Sequence, residues 1–109
     1  MFWDSSALIP LVLPEPRSPE LVSALSTDRE VTIWWATPVE CQSAIHRRHR
    51  EAPLPAALLT AALERLRAFV EDVDGVAPTD EVRRRAGRLL GTHPLRAGDA
   101  FQLAAALIW

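Results

Sequence analysis

The chain has 109 residues, 49% apolar and 24% charged, with 12 basic against 14 acidic side chains and a net charge of −2. That balance belongs to one folded soluble domain over residues 1–109; it excludes a disordered tail and argues against a basic body that binds nucleic acid by charge alone. Every basic side chain is arginine and lysine is absent, which excludes Schiff-base and P-loop lysine chemistry.

The apolar runs Ala7–Pro14 and Leu103–Trp109 fall well short of the ~20 residues a membrane span needs. Asp4 near the N-terminus, with no basic region before it, speaks against a secretory signal. Cys41 is the single cysteine, so a disulfide scaffold and a four-cysteine zinc module are excluded and a cytoplasmic location is expected.

In chain order, Phe2-Trp3-Asp4 reads as a short buried strand leading into a helix over Ser5–Leu13. Ser18-Pro19 offers an N-cap and a proline in the first turn for a second helix, with Leu21, Val22 and Leu25 as its buried side. Val31–Trp35 is the short, β-rich, mostly apolar run expected of a strand covered on both faces, with Trp3, Trp34 and Trp35 most simply core aromatics and base stacking their less simple reading. Thr37-Pro38-Val39-Glu40 opens a third helix with the signature of a capping box. From Pro55, the spacing of Leu58, Leu59, Ala62, Leu63, Leu66, Phe69 and Val70 predicts a long amphipathic helix. Val73–Ala77 is a third strand candidate, Thr79 caps a fifth helix that Gly91 stops, and Asp99–Trp109 is a last helix, apolar almost all round.

Alternating strands and helices argue for an α/β layer with a parallel sheet. A last helix without a polar face calls for cover on both sides, so a missing C-terminal strand is expected. The first two helices and the Pro55–Val70 helix present apolar surface that serves either as core or as a groove for a partner helix.

Three carboxylates occupy comparable places: Asp4 after the first strand, Glu40 in the first turn after the second, and Asp99 at the start of the last helix. In an open parallel sheet such positions converge on one crevice. Carboxylates gathered there repel one another unless a hard, oxygen-seeking cation such as Mg²⁺ or Mn²⁺ joins them. Each has a bland reading too. Asp4 and Asp99 suit helix N-termini, and Glu40 completes the capping box. His46-Arg47-Arg48-His49-Arg50 is either a phosphate-gripping ridge, through Arg47, Arg48 and Arg50, or a solvated helix end. Arg83, Arg84, Arg85 and Arg88 read more simply as a solvated face. Cys41, His46 and His49 do not share a helix face, which disfavours zinc.

Phe2-Trp3-Asp4-Ser5-Ser6, Glu40-Cys41-Gln42-Ser43-Ala44 with its following arginines, and Leu95-Arg96-Ala97-Gly98-Asp99-Ala100-Phe101-Gln102 resemble, in order and spacing, the three acidic motifs of the PIN domain family, and within it the VapC toxins. The resemblance implies a three-layer α/β/α sandwich with a short parallel sheet and a Mg²⁺- or Mn²⁺-dependent endoribonuclease. It also implies a homodimer held silent by a VapB-like antitoxin. Asp4, Glu40 and Asp99 then become metal ligands and catalytic acids, and Ser6 the hydroxyl supporting Asp4. The family's fourth acid has no counterpart here, which leaves a catalytically weak, antitoxin-binding module as the rival. A phosphatase with paired aspartates would need an acid where Ser6 stands, and a receiver domain would need a lysine.

Overall fold

The computed structural model describes residues 1–28 and 30–109. Among them the elements run α1 (Ser5–Val12), α2 (Ser18–Thr27), β1 (Thr32–Trp34), α3 (Thr37–Glu51), α4 (Ala56–Glu71), β2 (Asp74–Val76), α5 (Asp80–Thr92) and α6 (Ala97–Ile108). This is a mostly helical α/β fold around a short two-stranded parallel sheet.

β1 pairs with β2 in the register Thr32↔Asp74, Ile33↔Gly75 and Trp34↔Val76. On its other side it meets the N-terminal segment at one parallel bridge, Phe2↔Thr32. There the Trp3 amide donates to the Thr32 carbonyl and the Thr32 amide to the Met1 carbonyl, both at 2.9 Å. The strand expected at Phe2-Trp3-Asp4 is thus a single bridge, because Asp4 already serves as the N-cap of α1. β1 stops one residue short of expectation: Trp35 sits in the turn before α3 and is exposed, so it is not a core aromatic.

The pleat explains why β1 is buried throughout. Alternate residues point to opposite faces, and each face has its own helices. Trp3, Val31 and Ile33 join Leu8, Val12, Leu21, Cys41, Ile45, Ala62 and Leu66 in a core built from α1 to α4. Phe2, Trp34 and Val76 pack instead with Val82, Ala86, Ala100, Ala104 and Ala105 of α5 and α6. Helices on both faces of the sheet give the layered α/β/α arrangement. The apolar sides of α1, α2 and α4 contribute to this core, while Ala7, Leu21 and Ala24 of α1 and α2 also line a cavity.

Several local expectations change. Val22 is exposed, leaving Leu21 as the buried residue of α2. Ser18 ties the α1–α2 turn instead of capping: its hydroxyl donates to the Pro10 carbonyl at 2.6 Å and accepts from the Glu15 amide at 2.9 Å. Gly91 does not stop α5, which continues to Thr92; His93 ends it in extended backbone (φ −136°, ψ 145°), as the residue before a proline must. Thr79 does cap α5, accepting from the Val82 amide at 3.3 Å. On α6, Leu103, Leu107 and Trp109 are exposed, so the helix is covered on one side in this structure.

Candidate active site

Parallel strands place their C-terminal ends along one edge of a sheet, and the helices that follow start there. Asp4 lies just past the Phe2 bridge, Glu40 in the first turn of α3 past β1, and Asp99 in the first turn of α6, which packs against β1. All three line one cavity of about 650 Å³, together with Ser5, Ser6 and Gln102.

Within that cavity each carboxylate is held differently. Asp4 Oδ1 accepts from the Ala7 amide at 3.1 Å and from the Ser6 hydroxyl at 2.8 Å. Asp4 is therefore a helix cap as well as a cavity acid, with the Ser6 hydroxyl bonded to it. Glu40 does not complete a capping box, because Thr37 is already helical and no side chain caps α3. Its Oε2 turns inward and accepts from the Ser5 hydroxyl at 3.2 Å and from Gln102 Nε2 at 3.0 Å. Both carboxylates thus have one oxygen anchored by protein donors, while the other accepts nothing from the described residues. Asp99 is exposed, with neither oxygen bonded among the described residues.

The joint field of two of these acids is felt behind the cavity. Cys41 is fully buried, and its thiol is pushed up to about 12, first by burial, then by Glu40 and then by Asp4. It stays a neutral thiol that points at the Ser5 carbonyl, 3.9 Å away. Of the other residues considered for zinc, His49 uses Nδ1 to accept from the Leu54 amide at 2.9 Å.

Gln102 escaped the sequence reading. It is 8% exposed, bridges Glu40 and the buried Thr37 hydroxyl (2.8 Å), and leaves its own Oε1 without a partner. The signal was there: one amide in the otherwise apolar stretch Ala100–Ile108, a turn beyond Asp99. The basic ridge divides. Arg47 and Arg48 share a neighbouring cavity with Ser5 and Ser6, but Arg50 does not line it. Arg48 is already committed to Glu15 of the α1–α2 turn at 2.8 Å.

The PIN domain family profile matches residues 1–108. The chain belongs to the PIN domain family. No curated protein matches it significantly. PIN domains are in general nucleases that use divalent metals. The donors in this PIN domain suit a hard cation in kind: three carboxylates with unbonded oxygens line the cavity, whereas the thiol behind them is kept neutral. Yet among the described residues no three acidic, histidine or cysteine side chains stand close enough together to hold an ion. The three acids share a wall, not a point, as uncompensated like charges should. No helix among the described residues is long and apolar enough to cross a membrane.

Proposed function

We propose that this PIN domain is a Mg²⁺- or Mn²⁺-dependent endoribonuclease of the VapC toxin kind, acting in the cytoplasm as a homodimer and silenced by a VapB-like antitoxin. The observation that supports the reading most is that Asp4, Glu40 and Asp99, from three separate stretches of sequence, line one cavity, two of them with one oxygen anchored and one free. These three acids would hold the cation, which when bound supplies charge neutralisation at an RNA phosphate and a more acidic water. The chain's own part is positioning. Ser6 and the Ala7 amide fix Asp4, Ser5 and Gln102 fix Glu40, and Asp99, exposed and without a hydrogen bond among the described residues, would complete the set. A carboxylate oxygen left free of protein donors can orient the attacking water. Arg47, and Arg50 farther along α3, would contact the RNA backbone.

Calorimetric titration of Mn²⁺ into antitoxin-free protein, beside Asp4→Asn and Asp99→Asn variants, tests the site before any substrate is known. Saturable binding lost in both variants supports it, and RNA cleavage lost in Glu40→Gln then assigns the activity. A folded protein that binds no Mn²⁺ would sink the nuclease reading in favour of an antitoxin-binding module.

A further inference from the structure

Glu40 lines two cavities. The second, about 480 Å³, lies on the α5/α6 side, bounded by Trp34, Trp35, Pro78, Phe101 and Arg83. That volume is within the usual range of small-ligand sites, ~300–1,000 Å³. Its aromatic walls differ in kind. Trp34 is buried and stacked on Phe101, ring centroids 5.5 Å apart and planes 9° from parallel, so this surface is fixed. Trp35, the next residue, leaves the sheet in the turn before α3 and is 65% exposed.

A single exposed apolar side chain is ordinary on a protein surface. The surroundings of Trp35 make it informative. The arginine of this cavity is neutralised by an ion pair with Asp80 at 2.9 Å, and Glu40 adds a negative charge. Among the described residues a phosphate would meet no unpaired cation here, whereas a flat neutral ring would meet aromatic side chains. Because Glu40 is common to both cavities, whatever enters the second lies beside one of the three carboxylates.

We propose that this cavity is a nucleobase subsite, in which Trp35 stacks on one base of a single-stranded RNA whose backbone crosses the carboxylate cavity. The inference rests on the nuclease reading and adds to it a place for a base. Stacking of this kind tolerates any base, because each has a π-face. The subsite therefore orders the strand without selecting a sequence.

The test compares wild type, Trp35→Ala and Trp35→Phe, each checked for an unchanged melting temperature. Binding of a short fluorescein-labelled single-stranded RNA and of an abasic strand of equal length is followed by anisotropy, with Ca²⁺ replacing Mg²⁺ so that no cleavage intervenes. Trp35→Ala is expected to weaken binding of the base-bearing strand about fivefold or more. Trp35→Phe should restore most of the loss, and the abasic strand should bind all three proteins alike. Equal affinity of Trp35→Ala and wild type for the base-bearing strand overturns the subsite. So does equal loss on both strands, or a change confined to self-association, which would make Trp35 a protein contact. Mn²⁺ calorimetry on the same samples separates the two ideas. Normal metal binding with an unaffected Trp35→Ala rejects the subsite alone, while a wild type that binds neither metal nor RNA rejects both.

Discussion

At Gln102, one side chain serves two masters. Its amide nitrogen donates to the fully buried Thr37 hydroxyl and to Glu40 Oε2, tying the start of α3 to α6. Replacing it with leucine leaves the Thr37 oxygen without its donor, a cost of about 1–3 kcal/mol, and unpins Glu40. We expect Gln102→Leu to lower the urea midpoint and to weaken Mn²⁺ binding as well; Thr37→Val in the same background should recover much of the stability but none of the metal affinity. Cys41 allows a second prediction, with the sign set by its raised pKa. The neutral thiol is favoured in the fold, so this contribution to stability is complete below the ordinary value of 9.0 and is lost as pH rises towards about 12. Burial also blocks access. Ellman's reagent at pH 8 should leave the native protein unmodified and react fully once the chain is unfolded in urea. Rapid labelling of native protein would contradict the buried placement.

At the scale of elements, caps and glycines separate structural from chemical roles. Asp4 both caps α1 and faces the cavity. Asparagine keeps a capping oxygen but not the charge, so Asp4→Asn should hold its thermal midpoint while losing Mn²⁺ affinity; Asp4→Ala should lose both, the cap being worth about 1 kcal/mol. In α5, Gly87 and Gly91 lie inside the helix, without positive φ and with open space where a Cβ would stand. Alanine at either should therefore raise stability by roughly 0.5–1 kcal/mol, read from chemical denaturation. Reading Gly91 as a stop failed because a C-terminal glycine matters only when it adopts the left-handed conformation, and here His93-Pro94 ends the helix first. The order of helices and strands was legible from periodicity, since α4 and α5 display their buried side at helical spacing. Strand ends were not. Whether Trp35 continues β1 depends on how far β2 runs alongside, and that is a long-range fact.

For the molecule as a whole, what was legible was a neighbourhood: Asp4, Ser6, Glu40 and Asp99, picked out by their places in the sequence, all border one cavity. What the residues could not disclose was orientation. Thr37-x-x-Glu40 satisfies the pattern of a capping box, yet Gln102, from α6, draws both side chains into the interior. A local motif lost to a tertiary hydrogen bond. The outcome has a thermodynamic consequence for the entire fold. The three acids come from the two ends of the chain and from its middle, and an unfolded chain does not hold them together. A cation binding across them therefore binds the native state alone and stabilises it by mass action, about 2.7 kcal/mol at a hundredfold excess over its dissociation constant. For a domain of this size, 1 kcal/mol moves the melting temperature by roughly 4–8 °C. Mn²⁺ at that excess should thus raise the midpoint by on the order of 10 °C in wild type and leave Asp99→Asn almost unmoved. Asp99 makes this the sharper control, because its carboxylate has no hydrogen bond among the described residues and its neutralisation removes no protein contact. An equal rise in both proteins would mean that the ion binds elsewhere.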